Sequence, residues 1–137
     1  MPGNTAPIYS KVGDVQWGTL ITTANTAKDG TGTVVTAFTA DATNGGYAEK
    51  IAFSAAGTNV ATVGRIFINN GSTNTTAANN TLFAEITLSA TTISEVAAQP
   101  PYVVPLNLAL PPGYKLNCTL GTTVSAGYYI NVTGGKY

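Results

Sequence analysis

Short segments in which apolar and polar residues alternate recur along this chain, separated by Gly, Asn and Pro. In residues 81–88 the side chains of Leu82, Ala84, Ile86 and Leu88 share one side, because successive side chains of a strand point to opposite faces. No stretch of ten residues has a convincing helical period. The pattern predicts β-strands at residues 15–23, 33–40, 49–55, 60–68, 81–88, 102–110, 114–120 and 128–133.

Eight or nine such strands in 137 residues fit one all-β domain, an antiparallel two-sheet sandwich that is jelly-roll-like. An immunoglobulin-like sandwich is the alternative, but a chain with one Cys lacks the cysteine pair of antibody domains. The Pro-Pro-Gly turn at 111–113, between two alternating strands, favours the jelly roll. Residues 1–14, which include two prolines, are predicted to be an extended N-terminal arm, and residues 15–137 the sandwich. The predicted core contains Leu82, Ile86, Leu88, Leu106, Leu108, Leu116, Ile130 and Val132.

The composition leaves little material for catalysis. The chain has no His, one Cys, six basic and six acidic side chains. Acid–base, nucleophilic and metal-dependent mechanisms need titratable or ligating groups, so we expect no enzymatic activity, no cofactor and no metal site. Cys118 lies in an alternating segment between two leucines and is predicted to point into the core as a structural thiol.

The charge balance and the chain's apolar runs bear on partners. A formal net charge of zero gives no electrostatic footprint for nucleic acid or anionic lipid, so neither is expected as a partner. The N-terminus lacks the basic and apolar regions of a signal peptide, and no apolar run approaches the ~20 residues that cross a bilayer. We therefore expect synthesis in the cytoplasm and no membrane association.

Charges within the predicted strands are few. Arg65 is the one charge in the long apolar segment 60–68, which is predicted to be a central strand. Glu85 lies in an otherwise uncharged strand, beside Phe83 on the face opposite Leu82. Arg65 and Glu85 either pair with each other, or Arg65 pairs with Glu49 of a neighbouring chain, or both lie on a solvated face.

Three further groups of residues bear on binding or exposure. Asp14, Asp29 and Asp41 lie in or beside turn-like segments and either cap turns or ligate calcium, although their spacing matches no calcium loop. The loop 69–80 consists mainly of Asn, Gly, Ser, Thr and Ala and is predicted to be exposed, without a fixed structure. Aromatic side chains either pack in the core or form a sugar-stacking platform, and they are Tyr9, Trp17, Tyr47, Tyr102, Tyr114, Tyr128, Tyr129 and Tyr137.

Four segments carry a resemblance to a known group of proteins: 17–32 (WGTLITTANTAKDGTG), 57–63 (GTNVATV), 65–71 (RIFINNG) and 108–116 (LALPPGYKL). Together they resemble small virion structural proteins of tailed bacteriophages and prophages, and the similarity extends from about Gly13 onward. These segments are structural and include no catalytic residues that could be carried over.

The resemblance implies a capsid decoration, or cement, protein that binds the outer surface of the major capsid lattice and stabilises the head. Such a protein would be made in the host cytoplasm, would lie on the capsid surface of the virion, and would self-associate as a homotrimer. The alternative is a receptor- or carbohydrate-binding module of a head or tail fibre. The residues expected at interfaces are Ile8, Tyr9, Trp17, Arg65, Phe83 and Glu85.

Overall fold

Strands form the regular structure of this chain, as the alternating pattern predicts. The structure, a computed structural model, describes residues 10–137 and contains eight β-strands and one short 3-10 helix, Ala77–Asn79. The strands are β1 (Val12–Trp17), β2 (Val35–Thr39), β3 (Gly46–Ala55), β4 (Thr62–Asn69), β5 (Asn80–Leu88), β6 (Tyr102–Leu110), β7 (Lys115–Leu120) and β8 (Tyr128–Lys136).

The strands form two antiparallel four-stranded sheets that pack face to face. One sheet has the order β1-β8-β3-β6 and the other the order β2-β7-β4-β5. The first four strands pair with the last four in reverse order, β1 with β8, β2 with β7, β3 with β6 and β4 with β5. This is a long hairpin rolled into two layers, so the predicted jelly-roll sandwich is confirmed.

Side chains from the inner faces of both sheets form a single core. Phe53, Ile51 and Ile130 come from the first sheet, and Phe38 and Ile66 from the second. Cys118 lies in this core as a free thiol, as predicted, and burial raises its pKa to about 12. Of the predicted core residues, five are buried and two, Ile86 and Leu108, are partly buried; the five are Leu88, Leu106, Leu116, Ile130 and Val132.

The prediction was wrong for Leu82, which is exposed. The pairing of β4 with β5 shifts between Ile66 and Phe67, which lie opposite Ala84 and Leu82 respectively. Phe83 is therefore an extra residue in β5, a β-bulge that interrupts the regular alternation of faces. As a result both Leu82 and Phe83 are 39% exposed.

The first strand starts earlier and ends earlier than predicted. β1 begins at Val12, within the range expected to be an arm, and ends at Trp17, because the chain then leaves the sheet. Ile21 meets β8 only through an isolated bridge to Tyr128. The rest of the predicted arm, residues 1–9, lies outside the described residues. The structure has no strand at 91–98, and β8 continues through Lys136.

The positions of β4 and β6 in their sheets fit their sequences. β4 lies in the middle of its sheet, between β7 and β5, as the apolar segment 60–68 indicates. β6, which contains Pro105, is an edge strand, where a missing backbone donor is tolerated. The pairing of β6 with β3 is irregular beside Pro105, and Asn107 has a φ of 50°.

The connection between β1 and β2 is more than the turn that its glycines suggest. Ala24 pairs with Leu120 at the end of β7, while Asn80 at the start of β5 donates to the carbonyl of Asp29. Because β4 lies between β7 and β5, residues 24–33 cross the outer face of this sheet. We call this segment the strap.

Asparagine side chains fix the strap and the loop 69–80, which the sequence predicted to lack a fixed structure. Asn25 donates to the carbonyls of Thr31 and Thr33 and closes the base of the strap. Asn74 donates to the carbonyls of Gly30 and Gly32, at 3.1 and 2.7 Å, and joins the loop to the strap. The loop is largely exposed as expected, but amide–carbonyl hydrogen bonds replace the apolar contacts that it lacks.

Candidate interaction surface

The outer face of the sheet β1-β8-β3-β6 carries large apolar side chains that no other part of residues 10–137 covers. Four of them are strongly exposed: Trp17 (73%), Tyr129 (60%), Val15 (58%) and Val103 (45%). Several large apolar side chains exposed on one face of a sheet are a feature of interaction surfaces. We call this surface the bare face.

The strand register places these residues in adjacent rows. Trp17 lies opposite Asn131, Asn131 opposite Ala52, and Ala52 opposite Val103, so one row crosses all four strands. Their neighbours Ile51 and Ile130 point into the core, which fixes this row on the outer face.

The next row runs from Val15 through Thr133 and Lys50 to Pro105. Lys50 is exposed and contributes a positive charge to a surface that is otherwise apolar or neutral along these two rows.

A shallow groove of about 240 Å³ lies at the corner of the bare face, at the end of β1 and the start of β8. It is lined by Trp17, Gly18, Tyr129, Ile130 and Asn131. Two aromatic side chains and one amide thus face the same space, and the lining has no charged group.

Arg65 and Glu85 lie on the other sheet, in the paired strands β4 and β5. The Nε atom of Arg65 lies 2.8 Å from the Oε1 atom of Glu85, so these two side chains pair directly with each other. Glu85 is largely exposed, while the Nη1 atom of Arg65 is buried with no hydrogen-bond partner among residues 10–137. The pair links β4 to β5. Because the carboxylate of Glu85 is exposed, the pair contributes about 1 kcal/mol or less to the free energy of unfolding.

The predicted interface residues do not form one surface. Trp17 belongs to the bare face, whereas Arg65, Phe83 and Glu85 belong to the opposite sheet. Ile8 and Tyr9 lie outside the described residues. Val15 and Val103 were missed, although their place in alternating strands beside Trp17 and Val104 was visible in the sequence.

Two of the three aspartates, Asp29 and Asp41, bind their own turns, and the third, Asp14, lies in β1. Asp41 accepts hydrogen bonds from the backbone N–H groups of Asn44 and Thr43, which lower its pKa. Asp29 accepts from the hydroxyl and the N–H of Thr31, with the same effect on its pKa. Asp14 accepts from the side chain of Gln16. Within residues 10–137, no three His, Cys, Asp or Glu side chains are grouped as metal ligands.

The comparisons with known proteins gave no relative. No protein-family model matches the chain, and no curated protein or solved structure shows significant similarity to it. In the described part of the chain, no helix is long and apolar enough to cross a membrane.

Proposed function

We propose that this chain is a non-enzymatic structural protein of a tailed-bacteriophage virion, a capsid decoration protein that binds the outer surface of the major capsid lattice. The observation that carries the proposal is the bare face, since a sheet face with several exposed large apolar side chains is suited to docking on another protein. The jelly-roll topology supports it, because this fold recurs in viral capsid proteins, and so do the sequence segments that resemble virion proteins.

On this proposal the protein stabilises the head by adding buried interface. A face of four strands about 4.8 Å apart, with roughly seven residues of about 3.3 Å each, has a footprint of roughly 400 to 500 Å². A standard protein–protein interface buries about 800 Å² per partner, so one copy binds weakly. Several copies held together would bind far more tightly through avidity, which is why self-association, as a trimer or otherwise, belongs to the proposal.

The location follows from the same reasoning. The protein would be made in the host cytoplasm, would join the assembled head and would lie on the capsid surface of the virion. Its partners would be the major capsid protein and further copies of itself. Because the bare face is mainly apolar, salt should weaken attachment only slightly.

The experiment is to add purified protein to undecorated heads and to measure occupancy by co-sedimentation. Trp17→Ser and Val103→Asp, both on the bare face, should each lower the affinity by at least about tenfold, or roughly 1.4 kcal/mol. Thr87→Asp, at an exposed position of β5 on the opposite sheet, is the control and should bind like the wild type. Equal occupancy for all four proteins would contradict the proposal.

A carbohydrate-binding module of a head or tail fibre is the second candidate, and the corner groove is the observation that favours it. The rings of Trp17 and Tyr129 offer apolar faces for a sugar ring, and the amide of Asn131 offers a donor and an acceptor for hydroxyls. The uncharged lining fits a neutral sugar. Titration of neutral oligosaccharides against wild type, Tyr129→Ala and the Thr87→Asp control tests it; binding that Tyr129→Ala leaves intact would exclude this groove.

A further inference from the structure

β1 is an edge strand that gains little burial from this fold. Within residues 10–137 it pairs with β8 alone, and none of its six residues is buried. Val12, Val15 and Trp17 are all among the exposed large apolar residues. An unpaired edge with exposed apolar side chains is a template for a further strand.

Hydrogen-bond alternation along β8 identifies the backbone groups at that free edge. Tyr128 exchanges both backbone hydrogen bonds with Ile21 on the β1 side, while the N–H of Tyr137 donates to Gly45 on the β3 side. Even-numbered residues of β8 therefore face β1, where Lys136, Gly134 and Val132 lie opposite Val12, Asp14 and Gln16. The backbone groups of Gly13, Val15 and Trp17 are left at the free edge.

We propose that a second copy of this chain pairs with β1, antiparallel and related by a twofold axis at Val15. In this register Val15 of one copy lies opposite Val15 of the other. Gly13 of each copy lies opposite Trp17 of the other copy. All three free residues of each strand then exchange backbone hydrogen bonds. Such a contact is isologous, because the same surface is used by both copies.

The side chains fit this register and disfavour its neighbours. A Cβ built on Gly13 would meet nothing within 4 Å, so the space beside Gly13 is open to the indole of the second copy. On the other face Asp14 lies opposite Gln16, whose amide already binds Asp14 and Thr39 of its own chain, so this pair neither favours nor opposes the register. A shift of one copy by two residues toward its N-terminus instead places Asp14 opposite Asp14, which costs like-charge repulsion. The opposite shift leaves only two of the three free residues of β1 paired with β1 of the second copy.

This pairing has a consequence for the bare face. It joins the two β1-β8-β3-β6 sheets into one continuous sheet of eight strands and doubles the footprint of the bare face to roughly 800 to 1,000 Å². This is about the size of one side of a standard interface. The pairing itself does not depend on the proposed function; only its use in binding a capsid lattice rests on that function. A twofold also differs from the trimer that the sequence favoured.

The first test is the oligomeric state of the full-length protein by light scattering at high micromolar concentration. We expect a dimer, and Val15→Lys should raise its dissociation constant by at least about tenfold, because two ammonium groups then meet at the axis. Val103→Lys adds the same charge to the bare face away from β1 and should leave the dimer intact. Circular dichroism should show both variants folded, since both positions are exposed.

The second test is cross-linking through Val15→Cys. Opposite Cα atoms of a hydrogen-bonded antiparallel pair lie about 5.5 Å apart, within the range of disulfides. The native Cys118 is fully buried and does not compete. Under mild oxidation Val15→Cys should form a covalent dimer much faster than Val103→Cys.

A wild-type monomer, a trimer that Val15→Lys does not affect, or equal cross-linking of the two cysteine variants would each overturn the twofold. The outcome is separable from that of the proposed function. Val103→Lys should reduce attachment to heads while leaving the dimer unchanged, and Val15→Lys should weaken the dimer even where no head is present.

Discussion

The two sheets of this sandwich treat their outer faces differently. The outer face of β2-β7-β4-β5 is crossed by the strap, and on this face Phe67 is completely buried although it does not belong to the core between the sheets. The outer face of β1-β8-β3-β6 has no such cover within residues 10–137, and Trp17 is exposed there. One face is covered by the chain itself, while the other leaves the same kind of side chain exposed.

The largest expected effect concerns this contrast directly. Phe67→Ala should lower the free energy of unfolding by about 3 to 5 kcal/mol, as for a core aromatic, because the strapped face is a second buried layer. Trp17→Ala should change it by no more than about 0.5 kcal/mol in a monomeric state, because the indole is exposed. Chemical denaturation of both variants measures the difference. Similar losses of unfolding free energy for Phe67→Ala and Trp17→Ala would show that the strap does not bury the outer face of β2-β7-β4-β5.

The next effect concerns the closeness of the strap to the sheet. Gly30 has a φ of +79°, and a Cβ there would lie 2.6 Å from the Cβ of Asn80. Gly30→Ala therefore adds a clash to the cost of a left-handed backbone. Gly113→Ala is the matched control, since its φ is also +79° but a Cβ there meets nothing within 4 Å.

We expect about 1 to 2 kcal/mol of destabilisation for Gly113→Ala from backbone conformation alone, and a clearly larger loss for Gly30→Ala. Thermal unfolding of the two variants compares them. Equal losses would mean that the strap can move away from Asn80 at no cost.

The sequence predicted the sheets better than it predicted these faces. Alternation fixes which residues of a strand share a side, so the strands, the jelly roll and most of the core followed from it. Alternation does not say whether a side is covered: Phe67 and Trp17 are both aromatic residues in strands, and only the path of the strap separates them. The strap itself was invisible because it is held by Asn side chains and backbone carbonyls far apart in sequence.

Local irregularities caused the other errors. The bulge at Phe83 moved Leu82 out of the core, and nothing in residues 81–88 distinguishes this segment from a regular strand. The candidate surface was predicted in part, through Trp17. Its other members required the register of four strands, which depends on pairings between distant parts of the chain.

A smaller effect concerns the bond between the loop 69–80 and the strap. The amide of Asn74 donates to two strap carbonyls, and each such hydrogen bond contributes about 0.5 to 1.5 kcal/mol. Asn74→Ala should therefore cost about 1 to 2 kcal/mol and accelerate hydrogen exchange in residues 24–33 more than in β8. Asn107→Ala is the control, because it removes the hydrogen bond that the Tyr47 hydroxyl donates to Asn107 in the sheet β1-β8-β3-β6. It should leave hydrogen exchange in the strap unchanged.

The smallest effect is the acid sensitivity of the strap. Hydrogen bonds from Thr31 hold the pKa of Asp29 below the usual aspartate value of 3.8, so the ionised carboxylate stabilises the folded strap. This contribution is fully present above pH 3.8 and is lost as the pH falls through the lower pKa of the folded state, because the protonated acid is the weaker acceptor. An NMR titration should show the Thr31 amide shifting with a midpoint below 3.8, and Asp29→Asn should abolish that transition. The Thr43 amide, bonded to Asp41 outside the strap, should titrate similarly but remain unaffected by Asp29→Asn. A Thr31 midpoint at or above 3.8 would mean that Asp29 does not anchor the strap, and the contrast between the two faces would then rest on the asparagine contacts alone.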